Sequence, residues 1–98
     1  MKDFNIKALV ISKNDNVATL LFNADKDSEI EIKGPSSEKK IVTCNKIPAG
    51  HKIALTDIKK GVNIIKYGEI IGIATENIKM GDHVHIHNVD SIRGKVKV

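Results

Sequence analysis

Three of the four histidines of this 98-residue chain stand on alternate positions, in Gly81-Asp82-His83-Val84-His85-Ile86-His87-Asn88. A β-strand turns successive side chains to opposite faces, so a strand here places His83, His85 and His87 on one face and buries Val84 and Ile86 on the other. Alternate strand residues lie about 6.5–7 Å apart at Cα. Two imidazoles at that separation can converge on one metal ion or one anionic ligand. The plain alternative is an exposed strand edge with polar side chains on its wet face.

The elements that must position these side chains show a short repeat. Ile47-Pro48-Ala49-Gly50-His51-Lys52-Ile53, Ile58-Lys59-Lys60-Gly61-Val62-Asn63-Ile64 and Ile78-Lys79-Met80-Gly81-Asp82-His83-Val84 share one pattern. Each has an Ile, two spacers, a Gly, two spacers, and an Ile or Val. A Gly at positive φ closes a tight turn, and the apolar residues on either side pin it to a core. The intervals are too irregular for a solenoid, so the pattern predicts a body of short strands folded over repeated corners.

Composition agrees with strands. Sixteen Ile and eight Val stand against four Leu, and β-branched side chains pack well on pleated sheets but lose freedom in helices. The length predicts one domain over residues 1–98. A domain of this size is not expected to hold a deep cleft or to catalyse a reaction unaided. The net charge of +4 comes from fifteen Lys and the single Arg93, spread along the chain. Base reading favours bidentate arginine and single strands favour aromatic platforms, and only Phe4, Phe22 and Tyr67 are aromatic. A nucleic-acid partner is therefore not expected. Cys44 stands alone, which excludes a disulfide framework, and it reads as a buried thiol in a strand. The first residues lack the basic stretch and apolar run of a signal peptide, and no segment has the length of a membrane span. A cytoplasmic location is expected.

Along the chain, Phe4 to Ile11 reads as a strand partly buried on both sides, Asn14-Asp15-Asn16 as a turn, and Val17 to Phe22 as the returning strand. Glu29-Ile30-Glu31-Ile32-Lys33 alternates as a half-exposed strand, and Lys39 to Cys44 resumes extended structure. Residues 23–40 are the most polar stretch and the least informative. Thr56 or Asp57 can cap one helical turn that Gly61 would end. Val62 to Gly68 and Glu69 to Thr75 read as strands, with Gly72 marking a bulge or a close backbone approach. The alternating tail Val96-Lys97-Val98 either pairs along an edge or is disordered.

Taken together in register, these pieces resemble a known family. Ile47-Pro48-Ala49-Gly50-His51-Lys52, Ala54-Leu55, Asp57-Ile58 and Gly61 come in order, followed by Ile65-Lys66-Tyr67-Gly68, Ile71-Gly72, Ala74-Thr75, Ile78, Gly81, Val84-His85 and His87-Asn88. Asp15-Asn16-Val17-Ala18 is similar to the family's first turn. The whole resembles the SAF-type domain of altronate and galactarate dehydratases, and also the small subunit of sulfolactate sulfo-lyase. His83 departs from the family pattern, where its position is variable.

The resemblance implies an all-β, β-clip fold with tight Gly turns and at most a short helical turn. It implies a free-standing small subunit of a sugar-acid dehydratase, acting on a hydroxy acid with a separate large catalytic subunit, and in a complex that can hold further copies of this chain. His85 and His87 are the residues it marks as catalytic, as ligands of a divalent metal (iron, magnesium or manganese) or as proton donors to the leaving group. His51 and Lys52 are candidates to bind substrate carboxylate, and Asn88 a hydroxyl. Two alternatives stay open: a non-catalytic SAF-type module that binds carbohydrate or a partner, and a simple metal-binding domain using His83, His85 and His87.

Overall fold

The computed structural model describes residues 6–10, 12–34 and 38–91. Phe4, Ile11 and the tail from Arg93 to Val98 lie outside these residues, and with them the ends of the first and last expected strands. The described residues form nine strands in the order β1 (Ile6–Leu9), β2 (Val17–Leu20), β3 (Glu29–Lys33), β4 (Glu38–Val42), β5 (Lys52–Ala54), β6 (Asn63–Lys66), β7 (Glu69–Ala74), β8 (His83–Val84) and β9 (Val89–Ser91). There is no helix among the described residues, hence none long and apolar enough to cross a membrane. Six strands form one sheet in the order β4-β3-β1-β2-β5-β8, and β6-β7-β9 form another. Among the described residues only the β1–β3 pair is parallel. This is the all-β, β-clip architecture the resemblance implied.

The Gly corners form as the repeat predicts. Gly50, Gly61 and Gly81 have φ of 84°, 89° and 95°, and their anchors Ile47, Ile53, Ile58, Ile64, Ile78 and Val84 are all buried. A fourth corner, which the sequence reading passed over, spans Ala24 to Ile30. Asp27 takes the glycine's place at φ 66°, between two buried anchors. The corners work in pairs. Ala24 bridges Ile47, and Ile58 bridges Ile78.

Every pair uses the same bonds. The left-handed residue of each corner donates its N–H to the carbonyl four residues before its partner's first anchor: Asp27 to Thr43, Gly50 to Leu20, Gly61 to Ala74 and Gly81 to Ala54, at 2.8–3.0 Å. At three of four corners the residue before the anchor adds a side-chain acceptor. Asn23 takes the N–H of Ala49, Asp57 that of Met80, and Asn77 that of Lys60. Asp57 therefore caps a neighbouring turn across the molecule, where a helical cap was expected. At the fourth position Lys46 has no acceptor to offer.

The anchors feed two cores. Ile30, Ile32, Ile41, Ile47, Ile53 and Leu20 form the first with small Ala residues between them, and Val17, Ala54, Ile58, Ile64, Ala74, Ile78 and Val84 form the second. Each fully buried Ile or Val contributes about 1.5–3 kcal/mol relative to exposure. Asn16 joins the two sheets: its Oδ1 accepts from Ile65 N–H at 2.8 Å and its Nδ2 donates to Asn63 O at 2.9 Å. Asp15 accepts from Gly68 N–H at 2.8 Å, so the β1–β2 turn holds the tip of the β6–β7 hairpin. Gly72 is both things expected of it. The register shifts beside it, and a Cβ there would lie 2.6 Å from Asp90 O.

Two further expectations fail locally. The histidine strand stops at Val84, and Ile86, expected in the core, is 84 % exposed at the tip of a turn. Cys44 lies beyond β4 and is half-buried, where a strand position and full burial were expected. Its thiol contacts Met80 O at 3.4 Å, and burial, followed by the charge of Asp82, pushes its pKa up.

Candidate functional site

The Gly50 and Gly81 corners come side by side because β5 and β8 pair antiparallel, Lys52 opposite Val84 and Ile53 opposite His83. This register carries the histidines together from positions 32 and more residues apart. His51 Nδ1 lies 2.8 Å from His83 Nε2, a distance at which one proton is shared between two rings. His51 stacks on His85 with ring centroids 4.0 Å apart and planes 16° from parallel. The ring nitrogens of His51, His83 and His85 that could act as ligands all lie within 4.8 Å of one another. His87 is exposed, with its ring 5.1 Å from that of His83.

The grouping differs from the one expected. A continuous strand would have placed His85 with His87. The structure instead groups His85 with His51 and His83. The turn over residues 85–88 causes the difference, and Asn88 makes the turn. Its buried amide accepts from His85 N–H and donates to His83 O, each at 2.9 Å. Asn88, a candidate for holding a substrate hydroxyl, thus has both ends of its amide bonded to backbone. His83 N–H is held in turn by Asn45 Oδ1 at 2.9 Å.

Burial and crowding of like charge disfavour the charged forms of His83 and His85. His83 is pushed down to about 4, first by desolvation and then by the charges of His87, His51, His85 and Lys52. His85 is pushed down for the same reasons, desolvation first and then His51, Lys52 and His87. Neutral imidazoles offer lone pairs, which a metal ion requires. The donor set is three nitrogens without a carboxylate. That suits iron, zinc or another first-row ion and not magnesium, which takes hard oxygen ligands.

On the other face of β5, Lys52 and Val84 look into a cleft of about 400 Å³ between the two sheets. This is larger than a domain of this length was expected to hold. Ile64, Ile71, Val84 and Val89 give it an apolar floor, and Lys66, Tyr67 and His85 stand at its walls. His85 is therefore shared by the histidine cluster and the cleft. Lys52 is half-buried and its ammonium is destabilised, by desolvation first and then by Lys66.

The family model for the altronate/galactarate dehydratase SAF domain matches residues 6–92. The chain belongs to this family. It is 41 % identical to altronate dehydratase of Bacillus subtilis over 88 residues, which is 90 % of this chain and 16 % of that protein. It is 45 % identical over 47 residues to the (2R)-sulfolactate sulfo-lyase subunit alpha of Chromohalobacter salexigens, 48 % of this chain and 50 % of that one. The alpha subunit of Paracoccus pantotrophus is 47 % identical over 47 residues, 70 % of its length. This SAF domain thus spans about a sixth of the dehydratase it matches and half or more of the sulfo-lyase subunits.

Proposed function

We propose that this SAF domain is part of a hydroxy-acid lyase, and that its histidine cluster completes an active site whose remaining groups come from a larger catalytic partner. The observation that carries this reading is the convergence of His51, His83 and His85 beside a cation-lined cleft, in a chain of the dehydratase family. Elimination from a 2-hydroxy acid removes a barely acidic proton beside a carboxylate and expels a poor leaving group. Both steps need charge stabilisation at fixed positions. A divalent metal held by the three imidazoles would supply Lewis-acid stabilisation of the developing charge. The chain's own residues position that site. Asn88 and Asn45 fix the backbone of His83 and His85, the stack on His51 orients the His85 ring, and Lys52 offers a charge to the carboxylate. Removal of the proton is the step this reading gives to the larger partner.

Two substrates classes share this chemistry. The dehydratase relatives favour a sugar acid that loses water. The larger share of the sulfo-lyase subunits that this chain spans favours sulfolactate, which loses sulfite. Reconstitution with a cognate large subunit separates them. The chain alone should turn over none of altronate, galactarate and sulfolactate, and the complex should turn over one. His85→Ala should then cut turnover by about a hundredfold or more with the complex still assembled. Equal turnover by the large subunit alone would reduce this domain to a stabiliser.

A further inference from the structure

We propose that the cleft between the two sheets is an oxyanion seat, in which Lys52 and Lys66 hold the carboxylate or sulfonate end of a small hydroxy acid and aim the rest at His85. The proposal deepens the lyase reading and rests on it for the identity of the ligand class.

Three observations carry it. The first is electrostatic. Lys52 comes from the six-stranded sheet and Lys66 from the three-stranded one, so the fold brings two ammonium groups to one cleft from separate elements. Lys52 is half-buried above an apolar floor and has no carboxylate partner among the described residues. Two like charges held over Ile64, Ile71 and Val84 repel each other and lose solvation, and an anion between them relieves both costs.

The second is backbone conformation. Tyr67 and Gly68 form the two-residue turn between β6 and β7 with φ of 56° and 76°. Such a turn favours Asn or Asp at its first position, and an aromatic side chain in the left-handed region is strained. The Tyr67 ring stands at the cleft wall, with Lys66 Nζ 4.8 Å from its centroid. Asp15 and Asn16 hold the hairpin there. The ring thus keeps the ammonium of Lys66 over the cleft by cation–π attraction.

The third is size and placement. His85 stands at the wall of the same cleft as the two ammonium groups, so a hydroxy acid held by its anionic end turns its far end toward that ring. A cleft of about 400 Å³ accommodates a compound of this size.

The test uses the isotope-labelled 98-residue chain without a partner, at constant ionic strength. Glycolate probes the carboxylate source and isethionate the sulfonate source, and glycerol serves as the uncharged control. Backbone amide shifts of Lys52, Lys66 and Ser91 should move saturably with at least one anion and not with glycerol. The anion with the lower Kd identifies the end group. Lys52→Met and Lys66→Met should each weaken binding about tenfold, the loss expected for one charge-assisted hydrogen bond. Lys52→Met should melt no earlier than the parent, because it removes a half-buried cation. Shifts that rise linearly without saturation, or that persist unchanged in the double variant, overturn the seat. Lyase activity in the complex without anion binding here would overturn the seat and leave the lyase reading standing. Saturable binding beside a complex inactive on every hydroxy acid would do the reverse.

Discussion

The Gly81 corner and the Gly61 corner are the same turn in the same molecule, and they do different work. Both place a glycine near φ 90°, both bury an Ile before the turn and an Ile or Val after it, and both donate to a carbonyl four residues before the partner's anchor. Around Gly61 the surface is open, and a Cβ would meet nothing within 4 Å. At Gly81 a Cβ would strike Val42 O and press on Cys44 Sγ at 3.3 Å. Its carbonyl also accepts from Cys44 N–H at 2.9 Å. The Gly61 corner only turns the chain. The Gly81 corner is packed against the end of β4 as well, directly before the strand that carries His83. The scaffold is repeated four times, and of the three repeat glycines Gly81, whose corner leads into His83, is the one packed from a second side.

The largest effect should follow from adding one methyl to each. Gly61→Ala should cost about 1–2 kcal/mol, the penalty for an L side chain in the left-handed region. Gly81→Ala should cost about 3 kcal/mol or more, because overpacking against a backbone carbonyl adds about 1–3 kcal/mol to the same penalty. Chemical denaturation of both variants measures the difference. Equal losses would mean that the second contact at Gly81 carries no weight, and the contrast between the corners would fall.

The sequence showed three of the four corners because each needs both a residue tolerant of positive φ and two buried anchors, and Gly with Ile at fixed spacing marks both. It hid the fourth because Asp27 and Ala24 are poor markers of either, although Ala24-x-x-Asp27-x-x-Ile30 keeps the spacing. Alternation along His83-Val84-His85 was legible only as far as Val84. Beyond it the Asn88 amide competes with the strand by bonding the backbone of His83 and His85. An Asn three residues after His85 was the available cue. The meeting of His51 with His83 was not readable locally. It depends on β5 lying beside β8, a choice made by the whole sheet. Asn16 was likewise visible as a turn residue and not as the link between sheets.

A smaller effect separates the corners by pH. His83 titrates near 4 in the fold against 6.5 for the free side chain. Between these values the unfolded chain binds more protons, so this group's contribution is complete above pH 6.5 and is lost as pH falls toward 4. The melting temperature should therefore drop across that window. His83→Asn should flatten the drop, and the difference between the two curves removes the shared titration of carboxylates. Parallel curves would show that His83 is solvated and ordinary, and the histidine corner would be electrostatically no different from the bare one.

The smallest effect tests whether the Asp27 turn is a corner of the same kind. Its φ of 66° is left-handed, and Asp tolerates that region because its short side chain bonds locally. Asp27→Gly relieves the remaining strain but lets the unfolded chain gain freedom, and the two terms are each about 0.5–1 kcal/mol and opposed. The net change should lie within about 0.5 kcal/mol of zero. Asp27→Val should instead cost about 2 kcal/mol, because a β-branched side chain is badly strained at positive φ. Asp27 is exposed and its side chain fills no core, so lost packing cannot imitate this result. Urea midpoints for the pair give the answer. A neutral Asp27→Val would mean that the turn can relax out of the left-handed region, and that Ala24 to Ile30 only resembles the three glycine corners.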